Sequence, residues 1–408
     1  GTMLVYSLSL LIHENQKGRV KIDEVKINQR LNQLEKQFDS YRVLTPIIEK
    51  TKLEGLEAFK EIGGTGTYIN PITQRQEVAA FAQTFNSSRF ERIECPDYPT
   101  KDYPKTYPMK DILDHWNPDD TSIPSFHYNS LCYFDYQTEL QKALNYRNAE
   151  VPFIVYNSPQ VNEVVKNWNS LEYLNKKIGP TQKYATATSK DNHFMYYNKP
   201  DKKGIYKDQQ GNPWVKPTGQ IDMTFGEWIQ SAVENHNKTL SERKHYYFRV
   251  STDSSRHWIF DELPFFQPKK SFFMVEPEDQ RGIHCRFGMK SVISENHWDG
   301  SRNYAMTFFG LRRWILNHPN QCSNLYMFPN GHPSARHSSI DWSKPDYQSH
   351  PQFATAQTNE VIVRPGDALY LPTNWFHYII SLNINLQCNT RSGRTTQYDY
   401  DVKGGCGL

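Results

Sequence analysis

Residues 294–316 read SENHWDGSRNYAMTFFGLRRWIL, two apolar, β-rich runs with His297 and Asp299 at the turn between them. Side chains two apart on a strand share a face, so this imidazole and this carboxylate can reach one cation together. A third donor would complete half a coordination shell. It is expected from residues 365–377, PGDALYLPTNWFH, which read as a turn, a strand, a second turn and then His377 opening another strand.

Two histidines and one carboxylate on one side of a metal leave the other side open, the facial set of non-haem Fe(II) oxygenases. At these positions the chain resembles the JmjC-type, cupin-related oxygenases that use Fe(II), 2-oxoglutarate and O2, and among them the factor-inhibiting-HIF hydroxylase branch. The resemblance rests on His297-Trp298-Asp299, on Gly310-Leu311-Arg312-Arg313-Trp314-Ile315-Leu316, and on the run from Pro365-Gly366-Asp367 to Trp375-Phe376-His377. It spans roughly residues 150–393. It implies a mainly β fold with flanking helices: a double-stranded β-helix of jelly-roll or cupin type, preceded by a mixed helical and extended N-terminal region.

The same resemblance implies the site. His297, Asp299 and His377 are the metal ligands, and no catalytic side chain beyond them is expected. The family usually carries a lysine two residues after the glycine of this strand, where this chain has Arg312. An arginine keeps the charge and offers a carboxylate two parallel hydrogen bonds, through a longer fork. Asn303, Asn389, Ser294 and Tyr247 match positions that line the 2-oxoglutarate pocket, and Arg391 on the last strand is a second candidate for the far carboxylate. Trp298, between the ligands, is expected to turn to the opposite face and pack. The implied activity is hydroxylation of an amino-acid side chain, Asn, Lys or similar, in a protein or peptide. Most JmjC demethylases carry Glu where this chain has Asp299, which leaves N-methyl-lysine demethylation as the alternative and a non-redox metal-binding cupin as a further one.

The rest of the chain sets the frame. Its 408 residues exceed the usual single-domain size, so the expected division is an N-terminal helical and Pro/Tyr-rich region over 3–148 and a catalytic domain over 149–403 with an insert at 317–359. The polar insert is expected to face substrate rather than join the core. Apolar residues Ile27, Leu31, Leu34 and Phe38 recur at helical spacing, predicting an amphipathic helix over 22–38. Gly63-Gly64-Thr65-Gly66-Thr67 lacks the Lys-Ser/Thr of a phosphate loop and reads as a turn. Prolines 96, 99, 104, 108, 118 and 124 predict an extended path over 95–129 without a regular helix. A strand over 150–156 and a helix over 161–177 with Gly179 as its stop open the catalytic domain. Thr224 and Glu227 form a capping box for the next helix, through Val233, and a strand restarts at 246–250. Further strands are expected near 272–276, 284–293, 304–309, 313–316, 360–363, 368–371, 378–382 and 384–389.

A net charge of +3 is small for this length and points to no nucleic-acid partner. The apolar run at 4–12 is too short to span a bilayer. Six cysteines, far apart and without Cys-x-x-Cys, argue against a disulfide framework or a zinc ribbon. A cytoplasmic or nuclear setting is the expectation. The alternative is the secretory pathway, entered by a signal segment since removed, the only compartment where the sequons Asn86-Ser87-Ser88 and Asn237-Lys238-Thr239 are usable.

Overall fold

The computed structural model describes residues 67–69, 76–78 and, between 92 and 407, all but 199–203, 208–210 and 268–270. The helix expected over 22–38, most of the glycine-rich turn and the first sequon lie outside the described residues. Eight strands form the core: β1 (Ile283–Gly288), β2 (Ile293–Trp298), β3 (Asn303–Phe309), β4 (Arg312–Asn317), β5 (Gln357–Val363), β6 (Ala368–Leu371), β7 (Phe376–Ser381) and β8 (Asn385–Arg391). They fall into two sheets, in the orders β6-β3-β8-β1 and β5-β4-β7-β2, alternating between them along the chain except that β4 and β5 are neighbours in one sheet, and every pairing among them is antiparallel. This is the double-stranded β-helix of a jelly roll.

Alternation along β1 shows how the sequence sets the faces. Ile283, Cys285 and Phe287 are buried on the outer side of the sheet, while His284 and Arg286 take the other. Phe287 meets Phe225 and Trp228 of the helix Phe225–His236, whose Thr224/Glu227 capping box forms as expected. Beyond β1 the sheet continues with the strand Tyr246–Thr252, and beyond β6 with Phe153–Tyr156. No described helix is long and apolar enough to cross a membrane.

Several expectations are corrected. Residues 272–276 form turns, not a strand, with Phe272 and Phe273 packed on Tyr304. The helix expected over 161–177 is two, Pro159–Trp168 and Leu171–Ile178, because the Ser170 side chain accepts the Tyr173 N–H and caps a new helix start. The proline-rich path holds a helix, Met109–His115, in the proline-free window that follows Pro108, and its Met109, Ile112 and Leu113 enter the core. The insert does not stay out of the core: Leu325, Ile340, Trp342 and Phe353 pack with Ile315 and Tyr378.

The cysteine reading is reversed. Cys95–Cys132, Cys285–Cys388 and Cys322–Cys406 are disulfides, and no cysteine is free. Sequence spacing misses them because folding, not chain proximity, makes the pairs. Cys285 and Cys388 are register partners on β1 and β8, and Cys322 anchors the C-terminal helix Asp399–Cys406 to the insert.

Candidate active site

His297 on β2 faces His377 on β7 in register, and their ring centroids lie 4.2 Å apart. Ser294 faces Ile379, so three steps on β2 meet two on β7, and the surplus residue is a bulge at Glu295 and Asn296. Ser294 and His297 are an odd number of residues apart and would otherwise point to opposite faces. With the bulge both enter the barrel. Asp299 follows the end of β2, and the three donor groups lie with their ligand atoms within 4.8 Å of one another. Trp298 turns away and packs against the core, as expected.

The protonation of this set follows from its partners. His297 Nδ1 lies 2.7 Å from the Glu295 carbonyl and His377 Nδ1 3.0 Å from the Trp375 carbonyl. A carbonyl only accepts, so each Nδ1 carries the proton and each Nε2 keeps its lone pair free. Burial lowers the pKa of both imidazoles, and their neighbours, His377 above all for His297, add to this in His297. Burial alone would raise Asp299, but the Arg391 guanidinium, 3.0 Å away, above all, with Arg336 beyond it, outweighs it and holds the carboxyl well below its usual range. Two neutral imidazoles and one carboxylate are the donor state a divalent metal requires, and the set fits one.

A second cluster lies deeper in the barrel. Arg312 is buried; it donates to Asn385 Oδ1, to the Tyr247 hydroxyl at 3.2 Å and to the Arg286 carbonyl at 3.1 Å, all neutral oxygens. Ser294 Oγ donates to the same Tyr247 hydroxyl at 3.4 Å. Arg286 on β1 lies directly opposite Arg249 on the neighbouring strand, and like charges in that position repel. Among the described residues no carboxylate pairs with Arg249, Arg286 or Arg312. Burial, together with Arg249 and Arg391, pulls Arg286 down to about 10. Burial would push the Tyr247 phenol up, but Arg312, aided by Arg286, Ser294 and Arg249, outweighs it and holds the group at about 8. The Tyr247 shift reports positive charge without its counter-charge, and the Arg286 shift reports first its burial and then the neighbouring guanidinium groups.

Hydrogen bonds join the two clusters. Arg286 Nη1 donates to Asn389 Oδ1, Asn389 Nδ2 donates to Asn303 Oδ1 at 2.9 Å, and Asn303 Nδ2 lies 3.4 Å from Asp299 Oδ2. The structure thus brings together all nine residues expected at the site, with Arg391 held by Asp299 rather than facing Arg312. It adds Arg249, Arg286 and Asn385, and from the insert Arg336, 3.9 Å from Asp299, and His337, stacked on His297 at 5.4 Å. Strand alternation at His284 and Arg286 was a usable signal for the inner face of β1. Nothing local marks Arg336 and His337, which arrive from a polar loop. Elsewhere in the insert His332 packs its ring on Tyr206, Trp214 and Phe328, and Arg336 lies over the Tyr196 ring.

A model of the cupin-like domain matches residues 139–391, more than half of the chain. The chain is 27% identical to tRNA wybutosine-synthesizing protein 5 of Danio rerio over 187 residues, 44% of this chain and 56% of that protein. It is 22% identical to Lysine-specific demethylase 8 of Xenopus tropicalis over 350 residues, 84% of this chain and 69% of that protein. Jumonji C domain-containing protein 5 of Drosophila melanogaster is 29% identical over 136 residues, 31% of this chain and 33% of that protein. The chain therefore spans little more than half of the first of these relatives and a third of the last.

Proposed function

The chain belongs to the cupin-like domain family, and on that premise we propose an Fe(II)- and 2-oxoglutarate-dependent oxygenase of the factor-inhibiting-HIF kind that hydroxylates a side chain, Asn, Lys or similar, in a protein or peptide. One observation carries the reading: a His297/Asp299/His377 donor set and a pocket of guanidinium charge with no carboxylate partner among the described residues share one barrel and are tied by a hydrogen-bonded line. Iron bound there, with 2-oxoglutarate and O2, supplies oxidative decarboxylation to succinate and transfer of one oxygen atom to a substrate C–H bond.

The chain's own residues position and protect. Arg312, with the hydroxyls of Tyr247 and Ser294, receives the far carboxylate of the cosubstrate, a charge-assisted contact in a site shielded from water. Asn303 and Asn389 orient its near end through their amides. Arg391 holds Asp299 ionised and fixes its rotamer, a supporting role rather than a second carboxylate clamp. Arg336 and Tyr196 lie at the rim, where a polypeptide segment enters.

Demethylation is the second reading, favoured by a match to Lysine-specific demethylase 8 that runs through 84% of the chain. It uses the same machinery, since hydroxylating an N-methyl carbon releases formaldehyde. Mass spectrometry of peptides incubated with the protein, Fe(II) and 2-oxoglutarate separates the two: a gain of one oxygen is expected, against loss of a methyl group with formaldehyde. Asp299→Ala should abolish succinate formation. Succinate produced undiminished by that variant overturns the oxygenase assignment itself.

A further inference from the structure

The disulfides bear on where this barrel is made. Each of the six cysteines has one partner, at sequence separations of 37, 103 and 84 residues. The Cα separations of Cys95–Cys132 and Cys322–Cys406, 5.8 and 5.6 Å, are those of ordinary disulfides, and Cys285 and Cys388 face each other in strand register. Six cysteines placed by unrelated elements, all meeting in pairs with none left over, are the pattern of a chain that folds under oxidising conditions. Intracellular disulfide-rich proteins occur in hyperthermophiles, but those avoid Asn and Gln, in which this sequence is rich.

A second observation is independent of the cysteines. Asn237 is the C-cap of the helix Phe225–His236, and Asn237, Lys238 and Thr239 are all exposed. Thr239 is the N-cap of a short 3-10 turn, Leu240–Glu242, and its backbone N–H and its hydroxyl both donate to the Glu242 carboxylate. The side-chain amide of Asn237 therefore stands on a surface corner with a hydroxyl two residues on, the geometry an Asn-x-Thr acceptor needs. None of the residues assigned to the metal or cosubstrate lies in this turn.

We propose that the chain matures in the secretory pathway and carries an N-linked glycan on Asn237. In the first step a lumenal disulfide-bearing oxidoreductase accepts two electrons and two protons for each pair of thiols it joins, and itself becomes a dithiol. In the second, Asn237 Nδ2 forms a bond to the anomeric carbon of a lipid-linked oligosaccharide, the bond from that carbon to the lipid pyrophosphate breaks, and Nδ2 gives up a proton. If the hydroxylase reading above also holds, on which this extension rests, the polypeptide substrate is one that passes through the same compartment rather than a nuclear or cytosolic one.

The test uses the full-length protein from the cells that make it, lysed into a membrane-permeant maleimide. No cysteine should be labelled before reduction and all six after it. Enzymatic deglycosylation should shift the protein on a gel and leave aspartate at position 237 in the peptide map. Asn237→Gln and Thr239→Ala should each remove that glycan while Thr239→Ser keeps it, and Asn86→Gln separates any contribution of the other sequon. Cysteines labelled without reduction overturn the compartment. An unmodified Asn237 peptide from otherwise oxidised protein overturns the glycan site. Neither readout involves turnover, so their failure is distinct from failure of the oxygenase reading.

Discussion

Arg312→Ala addresses the cosubstrate pocket where charge matters most. Among the described residues the guanidinium has no carboxylate partner; its donors go to Asn385 Oδ1, the Tyr247 hydroxyl and the Arg286 carbonyl. Its removal breaks no ion pair and relieves repulsion within a cluster that includes Arg286 and Arg249, so a thermal melt should show little loss of stability. With a dicarboxylate bound the balance differs, because the far carboxylate is then buried without its cation. Losing one side of a buried pair costs roughly 3–5 kcal/mol, or about two to three and a half decades in Kd at 1.4 kcal/mol per decade. Calorimetric titration of 2-oxoglutarate into Mn(II)-loaded protein measures this without turnover. Arg312→Lys should recover part of the loss, since one compact ammonium must reach where a fork did. Arg391→Ala should change 2-oxoglutarate affinity modestly and weaken metal binding instead, through Asp299. A loss below about tenfold for Arg312→Ala in a folded protein, or a larger loss for Arg391→Ala, would show that the cosubstrate does not use this end of the barrel.

Three other outcomes are expected. Tyr247, held at about 8, becomes anionic as pH rises, which stabilises the empty protein above that pH, an advantage lost as pH falls through about 8. A dicarboxylate competes for the same guanidinium, so its affinity should fall as pH rises through about 8, and Tyr247→Phe should flatten that dependence in the titration. Replacing both Cys285 and Cys388 by Ala opens a loop of 103 residues and should destabilise the protein by about 4–5 kcal/mol in denaturant melts; an unchanged midpoint would mean the bond constrains nothing in the unfolded chain. Trp342→Ala in the insert removes a ring stacked on Tyr378 at 4.7 Å and should cost about 3–5 kcal/mol, whereas a surface loop would tolerate it.

How much of this was legible depends on whether the signal was local. The barrel was: short β-rich runs closed by turns predict seven of the eight core strands to within a few residues, and the His-x-Asp and Pro-Gly-Asp to His377 motifs sit on neighbouring strands because each motif carries its own turn. β2 was missed as a separate strand, because residues 284–293 join the end of β1 to its start across a short turn of apolar residues, Met289 and Val292 among them. The insert misled by composition. Its Ser, Pro and Asn residues are polar, but several of its large side chains, Trp342 and Phe353 among them, are turned inward, and an average over a segment cannot report which way its minority points. The disulfides were illegible for a stronger reason: a pairing between strands far apart in sequence is a property of sheet order, and spacing rules see only neighbours.

The bulge in β2 shows how one strand can serve two chemistries. Regular alternation offers each face every second residue, so a strand with Ser294 directed at the carboxylate pocket would place Asn296 and Trp298 beside it and turn His297 outward. Inserting one residue at Glu295 and Asn296 resets the phase within the strand. Ahead of the bulge the inward residue is a hydroxyl that joins Tyr247 and Arg312; behind it the inward residues are His297 and then Asp299. Glu295, one residue after Ser294, points out of the barrel as regular alternation requires and pairs with His193 there, so the strand that changes phase is held at the point of change by an ionisable pair. Register, and not the identity of any one ligand, is therefore what places the metal donors and the carboxylate pocket on a common wall, and the asparagine line from Arg286 to Asp299 runs across the barrel along β8 and β3, where alternation is unbroken between Asn389 and Arg391.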